Sequence, residues 1–355
     1  MAISKLELKN FRNFSKKEID FGEGTTVIVG PNASGKTNIL ESLFLLSTGK
    51  SFKAKVQEEM ISHDEEIGRV KGEFAKEKLE VVLTRGEITV GEDPERVEKA
   101  PRKRLLVNGV GKRMIDFAGN FKTVLFGPWD LDLVTESPSL RRNFLDTVLS
   151  QVDREYRRAS LSYDKGLKRR NRVLYKIREE GISRSNLAFW DKLLIKNGDY
   201  LGQKRKEFID FVNATDPLNE QKFSLEYDKS AISDARLEQY KEEEIAAATT
   251  LVGPHRDDFV VNALRDSTPR ELARYGSRGE QRMGVLWLKL AELSFVKKET
   301  EETPTLLLDD IFSELDHEHR EVAVHASKGQ QTIITTADPH YTEGLGELSR
   351  VELKG

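Results

Sequence analysis

Eight consecutive residues constrain this chain more than any others: Gly30-Pro31-Asn32-Ala33-Ser34-Gly35-Lys36-Thr37. They match G-x-x-x-x-G-K-[ST], a loop whose glycines let backbone N–H groups turn inward around phosphate oxygens. The flanks agree with that reading. Thr25-Thr26-Val27-Ile28-Val29 is a β-branched run that reads as a buried strand, and Ile39, Leu40, Leu43, Phe44 and Leu46 follow at helical spacing. A helix opening at the end of such a loop points the positive end of its dipole at the same anion. Lys36 is expected to reach the β- and γ-phosphates of ATP. The Thr37 hydroxyl is expected to bind Mg²⁺, with Asn38 beside it in the first helical turn.

A second half-site lies far along the chain. Leu306-Leu307-Leu308-Asp309-Asp310 is an apolar strand ending in two carboxylates. In a P-loop ATPase, Asp309 stands where Mg²⁺ is held through water, and Asp310 where the attacking water is oriented or deprotonated. Ser277-Arg278-Gly279-Glu280-Gln281 precedes an apolar-periodic run to Lys297 that reads as a helix. On its own, a serine there is also an ordinary N-cap.

The chain has 355 residues, 33% of them charged and 37% hydrophobic, with a net charge of −3. That is enough for two domains, and the balance gives no global basic field to draw the chain onto nucleic acid. It has no cysteine, which excludes disulfides, thiolate zinc sites and cysteine nucleophiles. Met1 to Phe14 carries Lys5, Lys9 and Arg12 and does not read as a signal peptide. No apolar run approaches the length of a membrane span, so a cytoplasmic protein without a membrane partner is expected.

Val81 to Leu83 and Ile88 to Val90 read as strands about the turn Arg85-Gly86, and Gly91 to Arg104 as an exposed loop. From about Ser139 to Glu244 prolines nearly vanish and charged helical patterns dominate. Strand character returns at Phe259 to Leu264, Thr305 to Leu308 and Gln331 to Thr335. The expected fold class is therefore α/β: one ATPase domain from residues 1–135 and 246–355, and a mostly helical insert over 136–245.

The order of parts resembles the ABC-type ATPases: P-loop, S-x-G-E-Q, the acid-ended strand, then Ser313-Glu314-Leu315-Asp316. The resemblance implies that Ser277, Gly279 and Glu280 of one subunit cap the γ-phosphate held by another. Asp316 would sit nearby and Thr335-Thr336 would occupy the switch position, with Thr336 among the nucleotide-binding residues. It narrows to the RecF family on blocks spread over most of the chain. These are Leu8 to Phe14, Gly49-Lys50-Ser51-Phe52-Lys53, Phe126-Gly127-Pro128-Trp129-Asp130-Leu131, Ser137-Pro138, Arg141 to Asp146, Gly253-Pro254-His255-Arg256-Asp257-Asp258-Phe259 and Leu307 to Asp316. Trp129 departs from the small or acidic residue expected there, and no glutamine is assignable to a Q-loop.

What the RecF resemblance implies is a head related to SMC heads that binds DNA when ATP is bound, dimerises on ATP and hydrolyses it slowly. By analogy with Rad50-like heads Arg12 should lie close to the nucleotide. The implied partners are gapped, single-strand or duplex DNA, a second copy of the chain and RecR-like and RecO-like mediators, with RecA loaded indirectly. The implied setting is DNA repair, replication and the SOS response. The alternative is the energy-coupling ATPase subunit of a transporter. Basic runs at Lys168-Arg169-Arg170 with Arg172, Lys176 and Arg178, at Arg102-Lys103-Arg104 and at Lys112-Arg113 could neutralise phosphates, or could be solvated faces balanced by acids such as Glu179-Glu180. His255 is expected to structure its turn.

Overall fold

The structure is a computed structural model that describes residues 2–91, 96–265, 268–314, 320, 328–338, 340 and 348–354. Asp316, His317 and His319 lie outside the described residues. The chain divides into two compact units, Met1–Asp130 with Glu292–Gly355, and Leu131–Ala291.

The first unit holds two sheets. One is five-stranded and all parallel, in the order Thr123–Phe126, Thr305–Asp309, Thr332–Thr336, Thr25–Val29, Leu348–Glu352. Its three central strands are buried almost without interruption, as the apolar and β-branched runs require of a sheet covered on both faces. The other is antiparallel and six-stranded, running Phe14–Asp20, Ile3–Phe11, Ile67–Phe74, Lys78–Thr84, Lys103–Val107, Val110–Lys112. The helix Lys36–Thr48 packs against both sheets. It is buried on nearly all sides, Glu41, Ser42 and Ser47 included, so it is a core helix rather than the one-faced helix its spacing suggests.

Gln331 ties the two sheets together. Its Nε2 donates to the carbonyls of Ile3 at 2.7 Å and Gly22 at 2.8 Å, while its Oε1 accepts from Ile3 N at 2.9 Å and Thr305 Oγ1 at 3.1 Å. Both amide hydrogens and both oxygen lone pairs are used, as a buried amide requires.

The loop expected over Gly91 to Arg104 is partly sheet. Val97–Lys99 pairs with Glu87–Thr89 in a separate two-stranded ribbon, and Lys103–Val107 pairs with Lys78–Thr84. Short strands set off by Pro101 carry too few alternating residues to be read from period alone.

The second unit is mainly helical: Pro138–Val152, Arg154–Glu180 and Ala188–Asn213, with shorter helices and one three-stranded antiparallel sheet, Lys222–Asp228, Asp258–Arg265, Thr268–Glu271. The compact units have other bounds than the expected 135/136 and 245/246. The sequence places the strand over Phe259 to Leu264 within the 246–355 part of the ATPase domain. It pairs instead with Lys222–Asp228 in seven-residue antiparallel register. Residues 246–291, Ser277 among them, therefore belong to the second unit. The helix Arg278–Thr300 begins there and runs into the first.

Candidate nucleotide site

The P-loop leaves the strand Thr25–Val29 at its C-terminal end. Gly30 N donates to Thr336 O at 3.4 Å, and the chain turns through Ala33 (φ 66°) and Gly35 (φ 99°) into the helix. A Cβ on Gly35 would lie 2.6 Å from Asn13 Oδ1 and from the Phe14 ring, so glycine is needed there for both its φ and its space. No acidic residue stands in the helix's first turn and no side chain caps it. Its leading N–H groups face the loop with their dipole uncompensated.

Two features of the loop fit a polyphosphate. Lys36 is only 8% exposed, yet its Nζ donates to the carbonyls of Gly30 at 2.6 Å and Pro31 at 2.9 Å, and no carboxylate pairs with it among the described residues. A buried ammonium held only by carbonyl dipoles is short of a counter-charge. Ser34 Oγ is buried with no hydrogen-bond partner among the described residues. An anion in the loop would satisfy both groups.

The acid-ended strand lies beside the first turn of the P-loop helix. Thr37 Oγ1 donates to Asp309 Oδ2 at 2.8 Å, and Thr335 Oγ1 donates to Asp309 Oδ1 at 2.5 Å. The result is a nearly buried carboxylate between two hydroxyls, the hard oxygen set that suits Mg²⁺. Asp310 adopts φ 49°, with its N–H shared between Thr335 O and Oγ1, both at 3.1 Å.

Of the switch pair Thr335-Thr336, it is Thr335 that meets the carboxylate. Register pairs Asp309 with Thr335, so Thr336 faces the other way. The Thr336 hydroxyl donates to Asp338 O at 3.0 Å and accepts from Asp338 N, capping the turn that follows, while its carbonyl meets Gly30. The period of two along the strand carried this signal.

Arg12 lies in the turn that abuts the P-loop, where Asn13 Nδ2 reaches Ser34 O at 3.2 Å and Asn38 Nδ2 reaches Asn13 Oδ1 at 2.8 Å. The guanidinium itself forks onto buried Glu41 at 2.8 and 2.6 Å and donates to Glu59 O at 2.7 Å. Glu41 also accepts from Ser51 Oγ at 2.5 Å. Three of the five guanidinium N–H groups are thus committed to protein. Trp129, the unexpected residue, stacks on Phe52 at 4.8 Å and covers Gly127, where a Cβ would meet its ring at 2.5 Å.

In the second unit, Ser277 and Glu280 form a reciprocal capping box: Glu280 N donates to Ser277 Oγ at 3.2 Å, and Ser277 N to Glu280 Oε2 at 2.8 Å. Those bonds, with Arg265, hold the Glu280 carboxyl below its ordinary pKa. Ser277 and Gly279 are exposed, and a Cβ at Gly279 would meet nothing closer than Ser277 Oγ at 4.0 Å. The segment is both a helix cap and an open surface.

A family model described as the RecF/RecN/SMC N terminal domain matches residues 2–354. A Herpetosiphon aurantiacus protein named DNA replication and repair protein RecF is 34% identical over 371 residues, covering 95% of this chain and 94% of that one. The chain belongs to the RecF family. A protein of the same name from Thermoanaerobacter pseudethanolicus is 34% identical over 97% of this chain and 96% of its own length. A solved structure of the recombination mediator protein RecF with ATP, in the RecFOR pathway, matches with a TM-score of 0.84 and 31% identity, covering 95% of this chain and 92% of that one. The fold is that of an ABC-type ATPase head. The transporter alternative finds no support among these relatives.

Two RecF-family blocks meet in the second unit for a structural reason. Arg141 forks onto Asp258 at 2.6 and 2.9 Å, and Arg142 donates to Asp257 O at 2.9 Å. Fully buried Asp257 accepts from Arg205, Tyr227 Oη and Ser230 N. His255 bridges Tyr163 Oη at 2.8 Å and Thr250 O at 3.0 Å. The carbonyl fixes a proton on Nε2, so Nδ1 accepts from Tyr163. Burial pushes this histidine down to about 4, which keeps it neutral and structural. Gly253, at φ 122°, admits the Tyr163 hydroxyl where a Cβ would sit 2.3 Å away.

The basic runs divide. Arg170 is 2% exposed and bound to Asp191 and Glu244, both at 2.7 Å, so it belongs to the core of its unit. Arg102 pairs with Glu58, Lys103 Nζ donates to Gly49 O at 2.8 Å, and Arg113 pairs with Asp116. No helix among the described residues is long and apolar enough to cross a membrane.

Proposed function

We propose that this chain is an ATP-switched DNA-binding protein of replication and recombinational repair. The observation that carries the reading is the meeting of Thr37 and Asp309 across 272 residues of sequence, beside a buried lysine without a counter-charge. Its relatives' names supply the DNA setting. ATP would lie along Gly30, Pro31, Asn32, Ala33, Ser34, Gly35, Lys36, Thr37 and Asn38. Thr37 and Asp309 would hold Mg²⁺, whose charge would be set against that of the γ-phosphate oxygens. Asp310 follows directly on the strand, with its backbone anchored by Thr335, and would polarise the attacking water in a slow hydrolysis.

Ser277 and Gly279, exposed beside the half-buried capping Glu280, would close with it on the nucleotide of a second copy, making ATP the link of a homodimer on DNA. Asp316 and Arg12 would complete the nucleotide set, with Thr336 shaping the floor of the loop. The same reading places the protein in the cytoplasm with RecR-like and RecO-like mediators, helping RecA load at gaps and supporting the SOS response.

Fluorescence anisotropy with gapped, duplex and single-strand DNA tests this reading. With ATP and Mg²⁺, gapped DNA should bind at least about tenfold more tightly than without nucleotide, within the usual range of coupling between sites. Equal binding of all three substrates with and without ATP would contradict a nucleotide-switched clamp.

A further inference from the structure

The hairpin of the two longest helices concentrates positive charge that the rest of the chain does not have. Residues 154–213 carry 16 Lys and Arg against 8 Asp and Glu, within a chain of net charge −3. Some of that charge is internal, as at Arg170 and Arg205, whose acids lie partly outside the hairpin.

The remainder is ordered. The helix Arg154–Glu180 buries Tyr156, Ala159, Tyr163, Gly166, Arg170 and Leu174 on one face. At 100° per residue, Lys165, Lys168, Arg169, Arg172 and Tyr175 fall on the opposite face. All are exposed, and none of the four cations has an ion pair among the described residues. The helix Ala188–Asn213 repeats the design, with Phe189, Lys192 and Lys196 exposed at positions i, i+3 and i+7.

The two helices are joined by the segment Gly181 to Leu187, which ends in the short turn Arg184–Leu187. Each outward face therefore begins with an aromatic ring near the hairpin tip and continues with cations behind it. Tyr175 is 51% exposed and Phe189 65% exposed, unusual for rings of this size. Arg178 covers one face of Tyr175 at 5.5 Å, and Trp190 supports Phe189 edge-on at 4.9 Å, so both rings are braced.

We infer that this hairpin reads the boundary between duplex and single-stranded DNA, its cations holding duplex phosphates and Tyr175 and Phe189 stacking on unpaired bases at the tip. Unpaired cations spaced one helical turn apart suit a phosphate backbone. Exposed rings beside them suit bases without pairing partners, since every base has a stacking face. The inference rests on the DNA-binding reading above and adds to it which surface of the chain holds the DNA.

The test compares three full-length proteins with ATP and Mg²⁺: the unaltered chain, Lys165→Gln/Lys168→Gln/Arg172→Gln, and Tyr175→Ala/Phe189→Ala. All five positions are exposed, so matching thermal melts are expected and confirm folding. Each is titrated against blunt duplex and a matched gapped duplex across salt concentration. The charge variant should weaken on both substrates, with the slope of log affinity against log salt smaller by about 2. The aromatic variant should lose roughly tenfold on gapped DNA while blunt duplex stays unchanged. An unchanged slope in the first, or equal loss on both substrates in the second, overturns the inference. Unaltered DNA binding with lost capture of a RecR-like or RecO-like protein also overturns it, and makes the tip a protein-docking site. If the unaltered chain binds no DNA with ATP, the DNA-binding reading falls as well, so the two failures are distinguishable.

Discussion

Asp310→Asn is expected to leave ATP binding intact and to slow hydrolysis by about 100-fold or more, the usual effect of losing a positioned general base. The substitution isolates the carboxylate. Asp310 sits at φ 49°, a conformation asparagine also tolerates, and its N–H bonds to Thr335 come from the backbone. The strand end and the Thr37–Asp309–Thr335 cluster should therefore persist. Single-turnover phosphate release measures the chemical step, and equilibrium nucleotide binding serves as the control. A loss below about fivefold would mean that another group, or water alone, accepts the proton. If hydrolysis ends the clamped state, ATP-bound dimers of the variant should also outlast those of the unaltered protein.

Arg205→Leu is expected to destabilise the second unit by about 3–5 kcal/mol, the usual cost of breaking a buried ion pair from one side. The guanidinium is 3% exposed. It donates to Asp257 Oδ2 at 2.9 Å, Asp146 Oδ1 at 2.8 Å, Pro254 O at 2.6 Å and Tyr156 Oη at 3.1 Å. Leucine fills much of the volume and leaves the fully buried Asp257 carboxyl without its cation. Urea unfolding followed by tryptophan fluorescence reads the loss, since Trp190 and Trp287 both lie in this unit. Adding Asp257→Asn removes the stranded charge and should recover part of the loss. A cost below about 1 kcal/mol for Arg205→Leu alone would show that Asp257 does not depend on this arginine.

What was legible in the sequence is what local chemistry demands. The P-loop needs glycine at a left-handed position against a neighbouring turn, so its residue types betray it. The parallel strands are β-branched runs because both faces are covered. The acid-ended strand could be paired with the loop because ABC-type heads share that order of parts. Pairing between distant segments was not legible. Nothing local tells that Asp258–Arg265 seeks Lys222–Asp228. Nor does a string such as Lys168-Arg169-Arg170 say which member turns inward. Arg170 does so only because Asp191 and Glu244 arrive from other helices. The choice between Thr335 and Thr336 turned on strand parity, settled once Asp309 was paired in register.

The central claim is that ATP in the Gly30–Thr37 loop joins two copies of this chain through the segment that begins at Ser277. Ser277→Arg tests it most directly, because the side chain is exposed and added bulk there would obstruct the closing of a second copy. Losing the cap should cost the helix about 1 kcal/mol, too little to unfold the protein. In sedimentation velocity with ATP and Mg²⁺, the unaltered chain should run as a dimer. Ser277→Arg should run as a monomer while still binding ATP with unchanged affinity. Normal ATP-induced dimers in the variant would contradict the account.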